Sequence, residues 1–521
     1  VNAVKIPKLE QERFNQLHAS ITSTGTMMYV GDLLKKAAER LPEHPALIFE
    51  GKSYTYRYLY TKSVVFSKML IEHKVKPRDR VLLLKENTPE YYIAYFGILQ
   101  IGAVIAPLNT FLREPELAHI IKDSQPAAIV AGSEFLPLLE RTGVALPPIM
   151  TEKDVHQIPD DAMMPSFSTV HLDEHETAAL LYTSGTTGMP KGVMLSSYNI
   201  LMNVIQGVAR FELLSQDRIF AVLPLFHAFA QNTYIWAPLF IGSTVILVRK
   251  IDRHHILAGL EQKPTIFVGV PALYGLLALL KTAPLESVRL FLSGGDVLPD
   301  KIRSAFELIY RRKICSGYGL TETSPFVSGD ITEETVITTN VGKPLIAIEA
   351  SFRDENGQEL PPNTIGQLWL KGPNIMRGYY NAPEMTAAVI KDGWLNTGDL
   401  AYQDAKGRII ITGRMKDIIK HKGFIIYPPE IENVIMTYPN VLQAAVVGKP
   451  DVQTGEIPIA FVQLRKDEPD IKKALHELCV KNLANYKVPR EFICSTNPLP
   501  ATATGKIDKK KLRLELNHRT E

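Results

Sequence analysis

Between Arg80 and Val130 the hydrophobic period switches repeatedly between that of a strand and that of a helix. Arg80 to Leu84 reads as a strand, Pro89 to Ile101 as a helix and Val104 to Pro107 as a strand. Glu114 to Ser124 then reads as a helix and Ala127 to Val130 as a strand. Pro89 falls in a first helical turn, where its missing N–H is tolerated, and Gly102 falls where the helix must end. Strands separated by helices pair in parallel, so this pattern predicts an α/β fold with largely parallel sheets. The same texture surrounds it. Leu33, Leu34, Ala37, Ala38 and Leu41 recur at helical spacing before Pro42, and Ala46 to Phe49 follows as a strand. Further strands are expected at Ile219 to Pro224, Thr244 to Val248, Thr265 to Val268 and Val288 to Leu292, with a helix over Pro271 to Leu280.

At 521 residues the chain exceeds one ordinary domain. From about residue 340 the pattern changes to short strands and turns. The last hundred or so residues read as a small α+β unit, with helices near 429–437 and 470–484 and strands near 442–447, 458–463 and 491–495. We place the boundary at 414, giving a large domain over 1–414 and a small one over 415–521. Residues 150–176 are acidic and weakly patterned and read as a surface loop, and Lys509-Lys510-Lys511-Leu512-Arg513 as a basic tail.

A net charge of +3 is small for this length and gives no electrostatic footprint for nucleic acid. Cys315, Cys479 and Cys494 form no paired motif, which argues against zinc or disulfides and fits a reducing compartment. Residues 1–20 lack the apolar stretch of a signal peptide. The apolar segments near 221–248 and 266–280 are broken by Pro224, His227, Gln231, Pro238, Gly269 and Pro271, so neither spans a membrane. The expectation is a cytoplasmic protein, with peripheral membrane contact left open.

Several expected strands end in clusters of glycine and hydroxyl residues. The most pronounced is Thr183-Ser184-Gly185-Thr186-Thr187-Gly188, followed by Lys191. Glycines let backbone N–H groups turn toward an anion, hydroxyls add donors and the lysine adds charge, which suits a polyphosphate. A plain Ser/Thr/Gly turn is the competing reading. It is not a Walker A loop, because Met189-Pro190 precede the lysine and Gly192 follows it. Ser293-Gly294-Gly295-Asp296 and Gly317-Tyr318-Gly319-Leu320-Thr321-Glu322 end two more strands, the latter with Glu322 where a dinucleotide fingerprint needs glycine. There is no G-x-S-x-G nucleophile elbow. His171, His175 and the His254-His255 pair lack the H-E-x-x-H order and read as surface histidines.

These clusters, together with Thr397-Gly398-Asp399, the run from Gly413-Arg414 to Gly423, and Thr504-Gly505-Lys506, resemble the adenylate-forming superfamily in its acyl-CoA synthetase branch. The resemblance extends from about residue 30 to about 515. It implies a large α/β domain with a small β-barrel-like part and a mobile α+β C-terminal domain. It also implies a two-step reaction: a carboxylate attacks the α-phosphate of ATP, then a thiol displaces AMP from the acyl-adenylate. No protein nucleophile is required.

The resemblance further implies roles. Thr183, Ser184, Gly185, Thr186, Thr187, Gly188 and Lys191 would hold the β- and γ-phosphates. Glu322 and Thr183 would hold Mg²⁺. Tyr318, with Gly317 and Gly319 beside it, would stack on adenine against Gly294, Gly295 and Asp296. Thr321 would contact the AMP phosphate, and Asp399 and Arg414 the ribose. Lys506 would be the catalytic cation between carboxylate and α-phosphate, and Lys416 the hinge about which the small domain turns. Lys420, Lys422 and Gly423 would line the path of the thiol. His227, Phe229, Val268 and Gly269 would wall the acyl pocket, with Ala230 standing where the family usually has glycine.

The expected activity is a medium- or long-chain fatty acid:CoA ligase using ATP, Mg²⁺ and coenzyme A. The alternatives are an aryl-CoA ligase and an acyl-AMP ligase that loads a separate carrier protein. A nucleotide-binding member without catalysis is a further class, but it should lack Glu322, Asp399 or Lys506, and all are present. Chain length of the acid and oligomeric state are not legible, and a homodimer is admitted.

Overall fold

The computed structural model describes residues 8–22, 27–151, 153–154, 167–184, 189–331, 339–422, 424–451, 453–501 and 507–518. The expected alternation builds two large sheets. One runs in the order Lys343–Pro344, Phe326–Gly329, Cys315–Gly319, Leu290–Ser293, Ile266–Gly269, Arg218–Ala221, Thr244–Leu247, Pro45–Phe49 and Lys52–Thr55. Its central members, from Leu290–Ser293 to Pro45–Phe49, pair in parallel. The other runs Gly378–Tyr379, Pro190–Ser196, Thr177–Ser184, Val104–Pro107, Arg80–Leu84, Ala128–Ala131 and Ile149–Met150.

The helices Pro89–Gln100 and Ser197–Arg210 are buried at nearly every position. Pro89–Gln100 is apolar nearly all round, as a helix between layers needs, whereas Ser197–Arg210 carries a buried polar stripe of Asn199, Asn203, Gln206 and Arg210 whose side chains donate to backbone carbonyls. Ser197–Arg210 starts with a capping box in which Ser196 accepts from Asn199 N. Its last residue, Arg210, is buried against Glu10 at 2.8 Å, which ties the N-terminal helix Lys8–Ile21 to the core.

An antiparallel sheet of Glu349–Arg353, Gly366–Lys371, Trp394–Gln403, Ile390–Lys391 and Ile409–Arg414 follows. It supplies the small β part and delivers Asp399 and Arg414 side by side, because these residues pair across strands.

The small domain has a mixed sheet in which Gly455–Leu464 pairs antiparallel with Val441–Asp451 and parallel with Glu491–Ser495. Side chains alternate faces along a strand. Val446, Ala460 and Val462 therefore pack under the helices Pro428–Met436 and Ile471–Asn482, while Ala445, Val447, Ile459 and Phe461 face the other way. That second face corrects one expectation. The basic tail is the start of a helix, Lys509–His518, whose Leu512 and Leu516 cover it. Their four-residue spacing puts both leucines on one helical face. Leu512→Ala is expected to cost about 2–5 kcal/mol, seen as a lower urea midpoint for the small domain in the full chain.

The two domains touch. Lys301 Nζ, on the helix Asp300–Tyr310, donates to the carbonyls of Tyr438 and Val441 at 3.0 and 2.8 Å.

Candidate active site

The first cluster sits on a hairpin. Thr177–Ser184 and Pro190–Ser196 pair antiparallel, with Thr183 opposite Lys191. Residues 185–188, the tip carrying Gly185, Thr186, Thr187 and Gly188, lie outside the described residues. The hairpin is held from beside. Tyr182 donates to Asp123 Oδ2 at 2.5 Å, and His119 Nε2 donates to the Pro190 carbonyl at 3.0 Å. Both partners belong to the helix Glu114–Ser124.

Glu322 lies in a single tight helical turn, Thr321–Thr323, just past the strand Cys315–Gly319. Its Oε1 is 3.8 Å from Lys191 Nζ, and both side chains are mostly buried. Burial lowers the Lys191 pKa, against the raising effect of Glu322. Thr183 Oγ1 is buried without a hydrogen-bond partner among the described residues. A buried hydroxyl left unpaired is costly, and a ligand that accepts or coordinates it removes the cost. A carboxylate and a hydroxyl are the oxygen donors a phosphate-bound Mg²⁺ takes, so this pair fits the ion.

A second group is assembled from two other sheets. Tyr318 donates to Asp399 Oδ2, and Arg414 Nε stands 3.4 Å from Asp399 Oδ1. Asp399 is buried and Arg414 half-exposed. Burial, with the Asp399 charge beside it, holds the Tyr318 phenol well above its ordinary pKa, so it remains a donor. Gly319 follows because no other residue fits. A Cβ there would lie 1.8 Å from the Pro325 carbonyl oxygen. Gly294 is similar: a Cβ would meet the Phe229 ring at 2.9 Å. Gly269 and Ser293 are register partners at the C-terminal ends of parallel strands, so Gly294, Gly269 and Phe229 share one edge of the sheet. Gly295 takes φ +81°, and Asp296 is exposed, its Oδ1 accepting from Val297 N.

Phe229 follows His227, whose Nδ1 accepts from Phe229 N at 3.2 Å and caps the turn. The chain then winds into a π-helix, Gln231–Trp236, a local widening common at functional sites. Val268 is buried and its carbonyl accepts from Tyr234.

Lys416 is within electrostatic reach of Lys191 and Asp399, and burial together with Arg414 lowers its pKa. Lys420 and Lys422 are exposed, and their backbone partners, Glu456 and Thr454, belong to the small domain. Gly423 and Lys506 lie outside the described residues. One residue was missed. Tyr379 donates to Glu322 Oε1 at 2.8 Å, and its ring lies 3.8 Å from Lys191 Nζ. Within Gly378-Tyr379-Tyr380-Asn381 it resembles a turn tyrosine, and no local signal points to its partners.

Thr183, Lys191 and Glu322 thus form one group of hydroxyl, ammonium and carboxylate, and Tyr318, Asp399 and Arg414 form a second, the two being joined through the segment that holds Tyr318 and Glu322. The chain belongs to the AMP-binding enzyme family, as an AMP-forming acyl-CoA synthetase. The AMP-binding enzyme pattern matches residues 34–380, and the pattern of the family's C-terminal domain matches 430–506. A long-chain-fatty-acid–CoA ligase of Bacillus subtilis is 31% identical over 522 residues, covering 92% of this chain and 93% of its own. A feruloyl-CoA synthase of an Amycolatopsis species is 33% identical over 487 residues, covering 92% and 97%. Among solved structures, ATP-bound MatB from Rhodopseudomonas palustris superposes with a TM-score of 0.87 at 28% identity, covering 94% of this chain and all of that one.

Proposed function

We propose that the acid is a medium- or long-chain fatty acid, activated as its adenylate and passed to coenzyme A. The observation that carries this is a small apolar cavity of about 20 Å³ between the helix Ser197–Arg210, the π-helix and the parallel sheet. Gly207, Val208, Phe211, Ile219, Leu292 and Phe326 are among its lining residues, and the lining holds no charged side chain. That space holds about one water-sized group, so an acyl tail enters only as these side chains move apart. Phe326 lines it, meets Phe229 edge to face at 5.5 Å and lies 5.7 Å from Phe211. The polar groups at its wall serve the protein itself. The Asn232 amide donates to Asn203 Oδ1 and Ser324 O, and the Thr233 hydroxyl donates to Phe229 O. This supports an alkyl tail over a hydroxylated ring, whose polar substituent would need its own partners.

In this reading the first step joins two anions, so positioning and positive charge are the main requirements. Residues 183–188 and Lys191 hold the β- and γ-phosphates. Tyr318 stacks on adenine, Thr321 contacts the AMP phosphate, and Asp399 and Arg414 take the ribose hydroxyls. Thr183 and Glu322 hold Mg²⁺, which supplies charge neutralisation at the phosphates. Lys506 closes over the carboxylate and α-phosphate from the small domain, with the boundary at 414 and Lys416 at the hinge. Rotation then brings Lys420, Lys422 and Gly423 to the path of the thiol, a gating mode that completes one arrangement at a time.

A panel of carboxylic acids assayed by pyrophosphate release, with CoA as the sole thiol, tests this reading. Fatty acids should give both pyrophosphate and acyl-CoA. Turnover confined to aryl acids would overturn the choice of substrate, and adenylate without acyl-CoA would point to a carrier protein as acceptor. Phe211→Leu should enlarge the cavity and raise the preference for longer acids about fourfold, the effect of burying about one further methylene. Relative kcat/KM across a chain-length series measures it.

A further inference from the structure

We propose that Tyr379 is a positioning residue that keeps Glu322 and Lys191 apart and available, using its phenol for one and its ring face for the other. The inference rests on the reading above, in which Glu322 serves the metal and Lys191 the phosphates.

The tyrosine is built into place from both sides. Gly378–Tyr379 forms a short strand at the edge of the seven-stranded sheet, with Gly378 opposite Met194 and Tyr379 opposite Val193. Tyr380 N donates to Gly192 O at 2.8 Å and Arg377 N to Met194 O at 3.0 Å. These bonds tie the segment to the strand that starts with Pro190 and Lys191. On the other side, Met376 N donates to the Glu322 carbonyl at 2.9 Å. Residues 376–380 thus stitch the hairpin to the turn that carries Glu322. Tyr379 itself is 5% exposed, and its N–H donates to Thr386 Oγ1 at 2.8 Å. Gly378 adopts φ +142°, and a Cβ there would meet the Thr386 side chain at 2.7 Å.

Two opposite charges 3.8 Å apart in a half-buried pocket attract strongly. Left alone, Lys191 and Glu322 would close into a tight pair, which would withdraw both from a metal–nucleotide ligand. Tyr379 opposes this in two ways. Its phenol occupies Oε1 of Glu322 and orients the carboxylate. Oε2 has no hydrogen bond among the described residues. Its ring face attracts the Lys191 ammonium without neutralising it, because the partner is a quadrupole and not an anion. A phenol is protonated at neutral pH, so it serves as the donor in this bond.

The phenol and the ring can be removed separately. In Tyr379→Phe the ring remains and the phenol is lost. With Mn²⁺ as the metal and α,β-methylene-ATP as a nucleotide that cannot react, the Mn²⁺ affinity read by electron paramagnetic resonance should fall about tenfold or more. Nucleotide affinity at saturating Mn²⁺, read by calorimetry, should stay within about twofold. In Tyr379→Leu the ring goes too, and nucleotide affinity at saturating Mn²⁺ should fall a further fivefold or so. Tyr379→Met serves in its place if the leucine variant melts early. Unchanged Mn²⁺ affinity in Tyr379→Phe overturns the phenol's role. Equal nucleotide affinity in the phenylalanine variant and the leucine or methionine variant overturns the ring's role. If Glu322→Gln also leaves Mn²⁺ affinity unchanged, the assignment of the metal ligand fails instead.

Discussion

Lys506→Ala is expected to lower acyl-adenylate formation by about 10²–10³-fold, the loss typical of removing one group that stabilises developing charge. Thioester formation from supplied acyl-AMP should stay within a few-fold of the parent. The reason lies in the two chemistries. A carboxylate approaching a triphosphate needs a cation between the anions, whereas a thiol attacking an activated acyl group does not. The Thr504-Gly505-Lys506 sequence places this lysine in the small domain, which the fold attaches to the large one through Met415–Asp417. Lys506 itself lies outside the described residues. Single-turnover assays of each half-reaction measure the split, and equal loss in both would count against the assignment.

Gly319→Ala should abolish nucleotide binding, with kcat/KM for ATP down by about two orders of magnitude or more and about 1–3 kcal/mol lost in stability. Its added Cβ would lie 1.8 Å from the oxygen and 2.8 Å from the carbon of the Pro325 carbonyl. Both are backbone atoms, so no side chain can swing aside. Leu320 N donates to that same carbonyl at 3.1 Å and Thr323 Oγ1 donates to it at 2.7 Å, which fixes the turn. The strain must therefore pass either to Tyr318 and its bond to Asp399, or to Glu322 within the turn. Nucleotide binding by calorimetry and thermal unfolding of the same variant check both effects. A variant that binds ATP normally would refute this account of the loop.

Both substitutions concern residues whose importance is visible in the chain, but for different reasons. Arg80–Leu84, Val104–Pro107, Glu114–Ser124 and Pro271–Leu280 form where the hydrophobic period, the prolines and the glycines place them. Those signals are local, since a helix or strand must satisfy its own backbone and bury its own face. The Lys509–His518 helix shows the limit. Its run of lysines hides two leucines, and the decisive fact is an uncovered sheet face more than fifty residues upstream.

Thr183, Lys191, Glu322 and Asp399 could be named from loop chemistry and resemblance, because hydroxyl, ammonium and carboxylate at the ends of strands have few other uses in such a pattern. Tyr379 could not. Its meaning depends on the register that sets Gly378–Tyr379 beside Val193 and Met194, and on a backbone bond from Met376 to Glu322. The small cavity lined by Phe211 and Phe326 is likewise a property of packing between helix, π-helix and sheet, and no stretch of residues announces it. The chain's linear order thus carries the chemical groups and the ends of the strands that bear them, since both follow from interactions within a few residues. Which oxygen faces which donor, and how tightly the apolar walls close, follow from contacts between residues far apart in the chain, 57 positions for Tyr379 and Glu322 and 81 for Tyr318 and Asp399. Those contacts are set when the layers pack.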